Sequence, residues 1–248
     1  CQIFIRPSQW PRRESPPRLT GAITDTLTHM RILQIVIAAG WLTVLSTSRD
    51  ARADDSGVSP PIDATLDRSP VDLAVPQDGQ WLVRANEASD SVSLIRTADG
   101  EVVDEIACGR HPADIEFCPD GRTILVTGAW SGDVTVLEID GERLRRKGTI
   151  RVGFEPWGLA VAADGRRAYV GLVASGQVAE LDLTSKRVTR RIDAGAWPRS
   201  LALSPDGSRL AVGCSGEGRI AVIDTETGER IYDEALANGI NIGHLQTS

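Results

Sequence analysis

Leu201-Ala-Leu-Ser-Pro-Asp-Gly-Ser-Arg-Leu-Ala-Val-Gly213 reads as two short apolar runs joined by an Asp-Gly turn. Leu201 and Leu203 alternate with other residues, the period of a strand. Glycine reaches positive φ without steric cost and aspartate tolerates it, so Asp206-Gly207 fits a tight hairpin. Three further copies of the pattern lie upstream. Pro70, Pro112, Pro156 and Pro198 are each followed nine residues later by the glycine of Asp78-Gly79, Asp120-Gly121, Asp164-Gly165 or Asp206-Gly207, and both markers advance by 42, 44 and 42 residues. The chain carries one unit copied in tandem.

Each copy predicts four strands. The first holds Leu73 and Val75, Ile115 and Phe117, Leu159 and Val161, or Leu201 and Leu203. After the turn comes a second around Trp81, Thr123, Ala168 or Leu210, then a third from Ser91, Asp133, Gln177 or Arg219. A second turn leads to a fourth around Val102, Leu144, Val188 or Ile231. Four short antiparallel strands in a unit of this length describe one propeller blade. A helical solenoid of similar period needs apolar residues at 3.6 spacing, and no stretch after residue 54 shows it. The prediction is an all-β propeller of four-stranded antiparallel blades, with repeats at about 68–109, 110–153, 154–195 and 196–237. Aligning Leu245 and Thr247 with Leu201 and Leu203 makes 238–248 the start of a fifth blade, so the chain reads as a truncated ring.

Residues 201–213 and Ile220-Ala-Val-Ile-Asp-Thr-Glu-Thr-Gly-Glu229 resemble the YVTN family of bacterial and archaeal propeller repeats, close to surface-layer and nitrous-oxide-reductase-like propellers. Ala168-Tyr-Val-Gly171 stands where the family's Tyr-Val-Thr-Asn tetrad would read. The resemblance spans 68–248 and implies the fold. Such propellers host unrelated functions. Related chains can continue into c-type cytochrome or peroxidase-like domains, which makes a redox protein with its haem domain beyond residue 248 one alternative. A lactonase-like or quinoprotein-like enzyme is another.

The first seventy residues have a different character. Residues 1–29 are rich in Pro, Arg and Ser and read as upstream sequence; the only methionine, Met30, opens a basic start, an apolar stretch from Ile32 to Leu45 and an Ala51-Arg-Ala53 exit. That order predicts a signal peptide over 30–53, cleaved after Ala53, and a periplasmic, secreted or cell-surface protein without a membrane span in the mature chain. Residues 54–67 follow as a linker. Seven of the 27 Lys and Arg and three of the 34 Asp and Glu lie in 1–53, leaving 20 and 31, net −11. Such a surface disfavours nucleic acid.

Cys108, Cys118 and Cys214 fall in the exported part, with no C-x-x-C and no C-x-x-C-H. Buried thiols in strands are the favoured reading over a Cys108–Cys118 disulfide. The basic run Arg143, Arg145, Arg146, Lys147 falls in a fourth strand, as do Arg187, Arg190 and Arg191, where cations protect an outer edge.

Chemistry is expected in the loops that carry the phased prolines. Their copies agree in proline and differ around it: Arg110-His-Pro-Ala-Asp114, Glu155-Pro-Trp-Gly158, Ala196-Trp-Pro-Arg-Ser200. Positions that serve only the frame should look alike in every blade. His111, Asp114, Glu155, Trp157, Trp197, Arg199 and, at the matched end of the last repeat, His244 are therefore the candidate ligand-binding residues. They suit a small molecule or a protein partner. No catalytic residue, metal or cofactor is predicted, and no G-x-S-x-G elbow is present.

Overall fold

The computed structural model describes residues 67–235 and, as backbone, two short strands, β1 (Gln2–Ile5) and β18 (His244–Thr247). The rest is four antiparallel sheets of four strands, each in sequence order. Blade 1 contains β2 (Pro70–Ala74), β3 (Trp81–Asn86), β4 (Ser91–Arg96) and β5 (Val102–Ala107). Blade 2 contains β6 (Pro112–Phe117), β7 (Thr123–Gly128), β8 (Asp133–Asp140) and β9 (Arg143–Arg151). Blade 3 contains β10 (Pro156–Val161), β11 (Arg167–Leu172), β12 (Gln177–Asp182) and β13 (Arg187–Asp193). Blade 4 contains β14 (Pro198–Leu203), β15 (Arg209–Cys214), β16 (Arg219–Asp224) and β17 (Arg230–Ala235). The predicted all-β propeller of about four blades is the observed architecture.

The Asp-Gly pairs close the first hairpin of every blade. Gly79, Gly121, Gly165 and Gly207 have φ of 66°, 66°, 65° and 68°. Their amides donate to the carbonyls of Pro76, Cys118, Ala162 and Ser204 at 2.8–3.0 Å. The preceding aspartates cap the turn by accepting amides two residues on, for example Arg166 N on Asp164 Oδ1 at 2.8 Å.

Apolar faces meet between blades rather than within them. Val83, Ala85, Val92 and Leu94 of blade 1 pack on Ile115, Ile124, Val126 and Leu137 of blade 2. Leu125, Val134 and Ile150 of blade 2 meet Leu159, Val170 and Leu181 of blade 3. Tyr169, Val178 and Ile192 of blade 3 meet Leu201, Leu210, Val212 and Ile223 of blade 4. Each blade is thus stable only through its neighbours, as in other repeat architectures.

The first strand of each blade lines up beside that of the next, β2 by β6, β6 by β10 and β10 by β14. β18 lies beside β14 in the same way and pairs in parallel with β1, Gln2 opposite His244 and Ile5 opposite Thr247. Cys108, Cys118 and Cys214 carry free thiols, and Cys108 and Cys118 belong to different inter-blade cores. The basic residues of β9 and β13 lie on outermost strands. Several tie blades together: Arg146 donates to the Ala107 carbonyl, Arg191 to that of Val152 at 2.7 Å and Arg190 to that of Thr225.

Candidate functional site

Four equivalent residues precede the four phased prolines: Ser69, His111, Glu155 and Trp197. All are left-handed, with φ of 41°, 54°, 50° and 57°. Side chains with a Cβ rarely adopt this conformation, and proline disfavours helical backbone in the residue before it. One repeated bond accounts for it. The carbonyls of Ser69, His111, Glu155 and Trp197 accept the amides of Glu87, Ala129, Val173 and Ser215 at 2.9–3.0 Å, pinning each loop to the end of its own second strand. His111 is held further by its amide, which donates to Asp90 Oδ1 at 2.7 Å.

After each proline the first strand bulges. The register with the second strand shifts between Pro70 and Asp72, Pro112 and Ile115, Pro156 and Leu159, and Pro198 and Ser200. Bulges re-aim side chains beside functional sites. Here the residue following each proline, Val71, Ala113, Trp157 or Arg199, lines a cavity of about 720 Å³ between the four first strands.

Four of the predicted site residues come together there: His111, Asp114, Trp157 and Arg199 all line the cavity. The Arg199 guanidinium lies 4.5 Å from the centre of the Trp157 ring and 5.8 Å from that of Trp197. Its Nε is buried without a hydrogen-bond partner, and no carboxylate among the described residues forms an ion pair with it. His111 meets Trp157 edge-on at 6.5 Å and stacks on Trp130 at 4.3 Å with ring planes 1° apart. A chain of aromatic and cationic groups therefore crosses from blade 2 to blade 4.

Two predicted residues sit on the rim instead. Trp197 is 54% exposed and reaches the cavity only through Arg199. Glu155 is exposed and does not line the cavity. The side chain of His244 lies outside the described residues.

Asp114 belongs to a row of three cavity-lining acids on the first strands, of which Asp72 and Glu116 were not among the predicted site residues. Asp72 Oδ2 accepts the amide of Ile115 at 3.0 Å, Asp114 Oδ2 that of Leu159 at 2.8 Å and Glu116 Oε2 that of Val161 at 3.0 Å. Each bond runs from one blade to the next, so the acids are rungs between first strands. Burial, with a carboxyl–carboxyl hydrogen bond to Asp72, holds the Asp114 carboxyl well above the usual carboxylate range. Burial likewise pushes Glu116 up to about 8. Glu87 is a further missed residue, with Oε1 2.8 Å from His111 Nε2. Two signals were available. Asp72 and Asp114 share one repeat position, and Glu116 stands where the other blades have Ala74, Ala160 and Ala202.

Between blades 3 and 4 the rung is missing, because Gly158 takes the place of Asp72 and Asp114. A Cβ on Gly158 would lie 2.3 Å from the Arg199 carbonyl oxygen, and one on Gly171 would lie 2.1 Å from that of Pro198. The two backbones approach directly, and this contact sets the height of Arg199 beside Trp157.

Among the described residues no helix is long and apolar enough to cross a membrane. No family model matches the chain, and no curated protein does. Solved structures do. The chain is similar to hydrazine synthase of Kuenenia stuttgartiensis, 25% identical with a TM-score of 0.63, over 71% of this chain and 51% of that one. It is similar to a functionally unknown protein of Desulfotomaculum acetoxidans, 17% identical with a TM-score of 0.58, over 66% and 54% of the two chains. A putative 6-phosphogluconolactonase of Bacteroides fragilis matches at 18% identity and a TM-score of 0.58, over 67% and 55%. The last two share the fold alone, and this chain spans about half the length of all three.

Proposed function

We propose that the chain is an exported propeller of the YVTN-like class that acts as a binding module, taking its ligand in the cavity between the first strands. The observation that carries this reading is the division of labour around the phased prolines. The prolines, the Asp-Gly turns and the left-handed backbone before each proline repeat in all four blades, while the side chains around the prolines differ and bring His111, Trp157 and Arg199 to one cavity. A concave site with aromatic walls and a few polar groups suits a small molecule. Native mass spectrometry of the protein after incubation with a bacterial small-molecule extract tests it. A retained compound that is lost in Trp157→Ala, with the thermal transition little changed, supports the reading. Retention of nothing, or equal retention by the variant, overturns it. N-terminal sequencing of the exported product should read Asp54.

The match to hydrazine synthase, 25% identical over 71% of the chain, favours a second reading, in which the module is the non-catalytic propeller of a larger redox protein. A C-x-x-C-H motif in the reading frame after Ser248 supports it, and a frame without one removes it.

A further inference from the structure

Arg199 is a charged group whose buried Nε finds no hydrogen-bond partner among the described residues. A guanidinium presents five N–H donors in a planar fork matched to carboxylates, and several in this protein find one: Arg190 meets Glu180, Arg219 meets Asp233 at 2.8 Å, and Arg96 meets Asp99 at 2.7 Å. At Arg199 the neighbours are two indole faces, which attract the cation without satisfying its N–H groups. A partly buried donor left in this state is costly unless something enters to accept from it.

Resting on the reading of the cavity as a ligand site, we propose that Arg199 anchors the carboxylate of a small organic acid, with Trp157 and Trp197 holding the guanidinium plane in place. None of the cavity acids Asp72, Glu87, Asp114 and Glu116 forms an ion pair with Arg199, and Asp72 gives Oδ2 to the Ile115 amide. Asp114 and Glu116 keep their protons well above the usual carboxylate range. Both are also tied to backbone amides of the next blade. His111 and Glu87 are engaged with each other. Arg199 is the group left to meet an anion.

The selectivity is that of carboxylate over amide. Isothermal titration of the full chain with benzoate and succinate, against benzamide and succinamide, reads it directly. Both acids should bind and neither amide should. Arg199→Gln should weaken the acids by about tenfold to a hundredfold, the loss of a charge-assisted hydrogen bond. Arg199→Lys, which keeps the charge without the fork, should fall between the two, with thermal transitions recorded for both variants. Binding of the amides as well, unchanged binding in Arg199→Gln, or binding of inorganic phosphate in place of the acids overturns the proposal. If compounds from an extract are retained through Trp157 while neither acid binds, the cavity remains a ligand site and its selection for carboxylates falls.

Discussion

Glu155 shows what the left-handed position before the proline demands of a side chain. Its φ is 50°, its side chain is exposed, and its fixed contribution is the carbonyl that accepts Val173 N at 2.9 Å. Any residue can supply that carbonyl, which is why serine, histidine, glutamate and tryptophan all occupy the site. The conformation costs a residue with a Cβ about 1–2 kcal/mol. Glycine relieves that cost but loses about 0.5–1 kcal/mol more backbone entropy on folding. Glu155→Gly should therefore raise stability by roughly 0.5–1 kcal/mol, read as an increased urea midpoint. His111→Gly should not share the gain, because it also removes the Trp130 stack and the Glu87 contact. A lowered midpoint for Glu155→Gly would mean that its side chain has a structural role that the exposed position does not suggest.

Between elements, the junction of β10 with β14 differs from the junctions before it. Asp72 and Asp114 reach across as side-chain acceptors, whereas Gly158 lets the Arg199 carbonyl come in directly. Gly158→Ala has to push that carbonyl away, an overpacking that costs about 1–3 kcal/mol. The same movement carries Arg199 off Trp157, so stability and ligand retention should fall together in denaturation and native mass spectrometry. Full retention by a destabilised Gly158→Ala protein would show that Arg199 is positioned by its indoles and not by this contact. The junction also marks how far the sequence could be read. Prolines and Asp-Gly pairs recur because backbone geometry allows few residues there, so the four repeats and their strand order were legible. The divergence of Trp157 and Arg199 was legible too, as variation against a fixed frame. The acid rungs were not read, since an aspartate near a proline usually caps a turn and its reach into the next blade depends on how blades stack. Glu116 was hidden within a strand, although an acid standing where three other blades have alanine was a usable sign. The left-handed residues left no trace because their residue types share nothing.

Across the four blades, two sets of acids act oppositely with pH. Asp164, first through the Arg166 amide, and Asp206, first through the Ser204 hydroxyl, are held below their ordinary value. Such groups contribute stability above the unfolded pKa, and it is lost as pH falls through the folded one. Glu116 runs the other way, raised by burial from 4.5 to about 8, and Asp114 is raised in the same direction. The folded state then binds more protons than the unfolded chain between those limits, so the contribution is full below about 4.5 and is lost as pH rises through about 8. Ionisation of both acids would place like charges beside Asp72 along the rungs that join blades 1, 2 and 3, where every inter-blade core depends on its neighbour. The melting temperature should therefore peak near pH 5 and decline towards pH 8.5, with a steep fall below about pH 4. Asp114→Asn with Glu116→Gln keeps carbonyl acceptors for Leu159 N and Val161 N while removing the titration. Scanning calorimetry at pH 5, 7 and 8.5 should show the double variant flat across the range and more stable than the parent at the alkaline end. A parallel decline in both proteins would place the alkaline loss in the net charge of the whole chain and not in the rungs.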